Sequence, residues 1–241
     1  TDHFQLIYTG AAGSWNKYQN MLDVAGPLNA TGTLRGRSVL SWQKQDYFYH
    51  YANRDDRTIY NILEFNATPS TLLTAGVNYR RLHATPWLSG LSMYNDGSDP
   101  KFSRNTSFTQ PWAYSNTETK EFFLGWDQKF YEHWTLKTNY DGSYRQFGNQ
   151  MITTSGGINP DTGNFSAING SATRGKSRAN SWDTKLSGNY DIGGLTQKFT
   201  FGGNYTKSFN DYTIPSPGYF PNYGILGNTS PGLSPFNGFV E

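Results

Sequence analysis

Polar and apolar side chains alternate with a period of two along most of the chain. Between Trp182 and Tyr190 the even positions read Trp, Thr, Leu, Gly, Tyr and the odd ones Asp, Lys, Ser, Asn. The even positions from Trp134 to Tyr144 read Trp, Leu, Thr, Tyr, Gly, Tyr, against Thr, Lys, Asn, Asp, Ser, Arg at the odd ones up to Arg145. Phe199, Phe201, Gly203 and Tyr205 oppose Thr200, Gly202, Asn204 and Thr206 in the same way. Such alternation sets one face of a strand in an apolar medium and the other in a polar one. No segment sustains a helical period. The pattern predicts strands near 3–11, 15–26, 33–45, 57–66, 71–83, 117–131, 134–147, 180–191 and 196–209.

The connections alternate in length. PLNATGT (27–33), ATPS (67–70), YEH (131–133) and IGGL (192–195) are tight turns, three of them built on Gly, Pro and Asn, whereas 46–56, 84–116, 148–179 and the region after 210 are long and polar. GAAGS (10–14) is the one short connection on the long side. One rim of short turns and one of long loops is what an up-and-down barrel in an outer membrane gives. Aromatic residues gather at strand ends (Trp15, Tyr18, Trp42, Tyr79, Trp126, Tyr131, Trp134, Trp182, Tyr190), where an interfacial girdle would place them. A soluble β-sandwich also alternates, but its faces draw on more Val, Ile and Leu and its two rims do not differ so consistently.

Composition sharpens this picture. Apolar residues make up only 35% of the 241 residues, yet aromatics reach 17%; a disordered chain is poor in aromatics. The net charge of +2, without any Lys/Arg block, is too small to argue for nucleic acid, and no nucleic-acid partner is expected. Cysteine is absent, and His3, His50, His83 and His133 are scattered without ligand spacing, so neither disulfides nor a metal site is expected. No nucleophile, histidine and carboxylate fall in a catalytic spacing, so the chain is not expected to be an enzyme. No apolar run approaches the ~18 residues of a spanning helix, and no signal peptide is visible. The chain is expected to be cut at both ends.

Several stretches carry a family pattern in order. GSWNKYQNMLDVAGPLNATGTLRGR (13–37) is followed by ILEFNATPSTLLTAGVNYRR (62–81), by Trp87–Gly90, by YNDG (94–97) and by SRNTSFTQPWAYS (103–115). Weaker matches run through FLGWDQKFYEHWTLK and LSGNYDIGGLTQKFTFGGNY. In these the sequence resembles the TonB-dependent ferric-siderophore receptors, nearest to the ferric-coprogen and ferric-pyoverdine type. The loops 148–179 and 210–241 depart from the pattern, so the ligand is open.

The resemblance implies an all-β fold: the first strands of a transmembrane antiparallel up-and-down barrel of about 22 strands. Residues 1–241 would form part of that single barrel domain, with a plug domain before residue 1 and the remaining strands after residue 241. It implies an outer-membrane receptor that binds a ferric siderophore outside and passes it inward with energy from TonB, through a segment preceding this one. A passive porin, or a soluble carbohydrate-binding β protein that stacks sugars on Trp and Tyr, are the competing functions.

No cofactor is expected, because the siderophore itself wraps the ferric ion in the oxygen donors that hard cations prefer. The protein has to grip the outside of a bulky polar chelate, work that suits aromatic side chains. The resemblance carries Trp87 and Trp112 into that extracellular pocket, and Tyr94 and Tyr114 join them on proximity alone.

Two expectations concern orientation. Phe4, Leu6, Tyr8, Leu22, Val24, Leu40, Trp126, Leu136, Leu186, Phe199 and Phe201 should face lipid. Arg35 and Arg37 occupy the opposite parity of the third strand, where two cations in lipid would be prohibitive. They should point inward, as partners for carboxylates on the plug or as part of a water-filled wall.

Overall fold

The computed structural model describes residues 2–85, 90–131, 133–213 and 218–220. These form one antiparallel sheet of strands β1 (Gln5–Gly13), β2 (Lys17–Pro27), β3 (Leu34–Asp46), β4 (Asn53–Thr68), β5 (Thr71–Thr85), β6 (Tyr114–Phe130), β7 (Trp134–Ile158), β8 (Phe165–Ile192), β9 (Leu195–Thr213) and the short β10 (Gly218–Phe220). Each strand from β1 to β9 pairs with the next, and β10 pairs with β8 beyond the end of β9. Strand contacts run only between sheet neighbours. This is an up-and-down wall without crossovers.

The period of two becomes two faces once the register is fixed. Leu22, Leu40, Ile59 and Tyr79 are partners across four strands. Ala75, Leu124, Tyr140, Trp182 and Tyr205 form a second such row, and Leu136, Leu186 and Phe201 a third. Every strand residue of the set expected in lipid lies on this face, and Phe4 precedes β1. Among the described residues no second sheet covers it: Val77 is 51% exposed and Phe201 69%. In water such a face would be a severe aggregation liability, which removes the sandwich alternative.

The other face carries ion pairs from near the short rim upward. Arg37 donates two hydrogen bonds to the Asp23 carboxylate, at 2.9 and 2.7 Å, and Arg35 donates to Glu64 at 3.3 Å. Arg35 also stands 4.0 Å from Asp2. Higher up, Asp56 accepts from Arg54 at 2.6 Å and from Arg80 at 2.7 Å, and Asn78 donates to Glu121 at 2.7 Å. Both cations of the third strand thus point inward, and their carboxylates come from neighbouring strands of the wall.

The two rims differ as the sequence predicts, with corrections. The short rim holds the turns 28–33, 69–70 and 193–194, with Tyr131 and His133 at the β6–β7 reversal. At the other rim GAAGS is mostly strand: β1 runs to Gly13, and the reversal is made by residues 14–16, with Trp15 (φ 56°) and Asn16 (φ 52°) both left-handed as a primed turn requires. The supposed long loop 148–179 is mainly strand, since β7 and β8 continue to Ile158 and back from Phe165 around a six-residue connection. At 25 and 28 residues these strands far exceed the ~9–11 that span a bilayer. Their upper halves stand clear of the apolar band.

Candidate functional site at the long-loop rim

Where the described residues do bury a compact apolar cluster, it lies at the long-loop rim. Phe108, Ile152, Ile158 and Phe165 are buried together, and Tyr94, Phe102 and Trp112 pack against them. Phe108 meets Phe165 edge-on at 4.9 Å and Phe102 at 5.5 Å, the geometry that favours aromatic pairs. The cluster therefore joins the 90–113 connection to the tip of the β7–β8 hairpin.

Backbone bonds fix this docking. Asn95 N–H donates to Ile158 O and Ile158 N–H donates to Met93 O, both at 2.9 Å, so residues 93–95 run alongside β7. A turn closes Tyr94 to Gly97, where Asp96 accepts from the Ser98 amide at 2.9 Å and its hydroxyl at 2.6 Å. Those two donors hold the Asp96 carboxyl below its ordinary range, the hydroxyl contributing most. At the loop's far end Thr85 Oγ1 donates to Ala113 O at 3.0 Å.

A second aromatic group flanks the first. The β3–β4 connection reads Tyr47-Phe48-Tyr49-His50-Tyr51, five consecutive rings in a polar setting. Tyr47 stacks on Tyr49 at 5.4 Å, Phe48 meets Tyr49 edge-on at 4.9 Å and Trp15 at 6.0 Å, and the Arg104 guanidinium lies 5.2 Å from the Phe48 ring centre. Burial raises the Tyr49 phenol above its ordinary value, with a smaller push from Tyr47. His50 N–H donates to Asn105 O at 3.0 Å, tying this connection to the 90–113 one.

The four residues singled out from the sequence separate accordingly. Trp87 lies outside the described residues. Tyr94 and Trp112 come together on the hairpin cluster. Tyr114 opens β6 and does not join the cluster; its parity is that of Phe122, Leu124 and Trp126, the outward face. The Tyr47–Tyr51 run was missed by reading 46–56 as merely polar, although five adjacent rings were the signal. Among the described residues no group of three His, Cys, Asp or Glu is arranged to hold a metal ion.

No protein-family profile matches the chain. It is 31% identical over 212 residues to the ferric-pyoverdine M114 receptor PbuA of Pseudomonas sp. (strain M114), covering 88% of this chain and 25% of that protein. It is 27% identical over 194 residues to the ferripyoverdine receptor of Pseudomonas aeruginosa, covering 79% of this chain and 24% of the receptor. The chain thus spans about a quarter of the length of the curated relatives it matches. The crystal structure of the outer-membrane ferripyoverdine receptor of P. aeruginosa bound to ferripyoverdine superposes with a TM-score of 0.82 at 23% identity, over 95% of this chain and 32% of that one. The open form of the ferric-catecholate import receptor Fiu of E. coli gives 0.83 at 15% identity, over 98% of this chain and 39% of that one. At those identities the likeness establishes the barrel-wall fold.

Proposed function

Because this chain belongs to the TonB-dependent siderophore-receptor family, we propose that it forms part of the wall and ligand-gathering rim of an outer-membrane barrel that imports a ferric siderophore. The observation that carries this is the opposition of faces in one sheet: a band of rings and aliphatics outward, ion pairs on the inward face at the same heights, and the buried aromatic cluster at the long rim. The edges of such a wall in lipid would leave backbone groups unpaired, so further strands must close it. A plug and a TonB-contacting segment complete the machine on this reading.

The ligand is a ferric siderophore of the pyoverdine class, as the names of the relatives suggest. Its chelating oxygens already saturate the iron, so recognition falls to flat, rigid side chains with polar tips. Trp87 and Trp112 are assigned that grip with Tyr94, and Tyr47 and Tyr49 extend the aromatic surface beside them. Tyr114, on the outward parity, is not assigned to it.

The test is uptake of radiolabelled iron, presented on a panel of ferric pyoverdines, by cells whose only siderophore receptor is the full-length protein, with and without TonB. TonB-dependent uptake of one of them is expected. In the purified receptor Trp112→Ala should weaken binding of that ligand about tenfold or more, as loss of an aromatic anchor does. Passive ion conductance without TonB-dependent uptake would overturn the receptor reading in favour of a porin.

A further inference from the structure

The outward face does not stay apolar to its upper end. Tyr79 pairs with Lys120, Lys120 with Tyr144, and Tyr144 with Arg178; in the next row up, Arg81 pairs with Glu118, Glu118 with Gln146, and Gln146 with Lys176. These cations share the parity of Val77, Phe122 and Trp182, so they project from the lipid-facing side and not into the lumen. The row above the lipid band therefore has a basic character that lumen chemistry does not explain.

A groove of about 670 Å³ lies where the two zones meet. Val77, Phe122 and Gly142 form its apolar part, while Tyr79, Tyr144, Lys120 and Arg178 stand along its wall. Gly142 is close-fitted there, since a Cβ would stand 2.8 Å from the Phe122 ring. Lys120 engages Glu118 at 2.8 Å, a bond that uses one of its three donors, and the Arg178 guanidinium sits 5.5 Å from the Tyr144 ring centre. With Arg81 and Lys176 above, the four cations outnumber the three nearby acids: Glu118, Asp211 and Glu121, which lines the groove but accepts from Asn78 on the inward parity.

We propose that this groove binds a phosphate-bearing lipid of the surrounding leaflet, its acyl chain along Val77, Phe122 and Gly142 and its phosphate on Lys120 and Arg178. An amphiphile of that kind matches both halves of the site, and ionised donors bind phosphate oxygens with the short, strong bonds typical of charge-assisted pairs. Lys and Arg stems reach along apolar surface while their heads meet the headgroup layer. The inference rests on this face lying in lipid, as the proposed function requires.

The test uses the full-length receptor in non-ionic detergent, with bound lipid counted by native mass spectrometry. The probes are dioctanoyl phosphatidic acid, dioctanoylglycerol (chains without phosphate) and inorganic phosphate (phosphate without chains). Wild-type protein should retain phosphatidic acid, and K120Q/R178Q should lower that affinity about tenfold or more. K185Q removes a cation from the inward face and should leave it unchanged. The proposal is overturned by equal retention in the double variant, by an equal loss in K185Q, by dioctanoylglycerol binding as well as phosphatidic acid, or by displacement with millimolar inorganic phosphate. Heat-dependent gel mobility of the same samples reports barrel folding. A folded barrel that ignores the lipid refutes this site and leaves the receptor reading standing, whereas an unfolded wild type refutes the barrel itself.

Discussion

Replacing Leu186 with Arg places a guanidinium close to the centre of the apolar band. The residue stands four positions from Trp182 and four from Tyr190, the two aromatic residues of the same face on β8. At ~3.4 Å per residue that is about 14 Å of strand in either direction, or roughly 10 Å of depth for a strand tilted by ~40°. The apolar band of such barrels is ~25 Å tall, so neither interface is within easy reach. Leu136 and Phe201 flank the site on the neighbouring strands and offer no polar partner. A cation at such a depth costs ~2–4 kcal/mol, about 30- to 700-fold in the folding equilibrium. Ser187, one residue on, faces the lumen beside Thr135 and Thr200 at the same depth; Ser187→Arg should cost less than ~1 kcal/mol, as surface substitutions do. The assay is the folded fraction of the full-length receptor in phosphatidylcholine vesicles across a urea series, read by heat-dependent gel mobility. A cost for Leu186→Arg no greater than for Ser187→Arg would refute the assignment of faces.

Gly76→Ala should destabilise the wall by ~1–3 kcal/mol in the same assay, because a Cβ there runs into the Phe123 ring, which is stacked on Tyr60 at 6.1 Å; adding Phe123→Leu should recover part of the loss, and an additive loss would sink the explanation. The Asp96 turn should loosen in acid. Its carboxyl is held below the unfolded value, so its contribution is complete above the ordinary carboxylate range, near pH ~4, and disappears as pH falls through the lower folded value. Base-corrected hydrogen exchange of the Ser98 amide should show constant protection at neutral pH and a loss below about pH 4, whereas Asp96→Asn should lose much of that protection at every pH.

The parts of the fold that could be read from the sequence are those where two media meet. Along Trp134–Arg145 and Trp182–Tyr190 lipid and water lie on opposite sides of the strand, so every second residue reports the difference. Above the band the contrast vanishes. Gln150–Thr154 and Ser171–Ser177 lie above the lipid, where burial comes from the loop packed on Ile152 and not from a second medium, so the strand continues with no alternation to announce it. The upper hairpin was therefore read as loop. The rim was legible as a place but not as an arrangement, because Trp112 and Tyr94 pack on a cluster that includes Ile158 and Phe165, partners 46 to 71 residues away that no local pattern connects. Arg35 and Arg37 were legible as inward, while their partners Glu64 and Asp23 followed only from register.

Near its tip the long hairpin changes phase. Ser155 pairs with Ala167 and Ile158 with Phe165, so two residues of β7 oppose one of β8, and Gly156 takes the left-handed φ of 75° that such a bulge favours. Below this point odd positions of β7 share a face with odd positions of β8; above it Ile158, an even position, shares the face of Phe165. The bulge acts as a frame shift written in backbone geometry. Losing one residue at 156–157 would return Ile158 to the opposite side and leave Phe165 without its apolar neighbour, though every pair below would stay in step. Natural length variation in this hairpin should then come as paired insertions on both strands, or in even numbers on one, and sequences that break this rule should show a new apolar residue one position away.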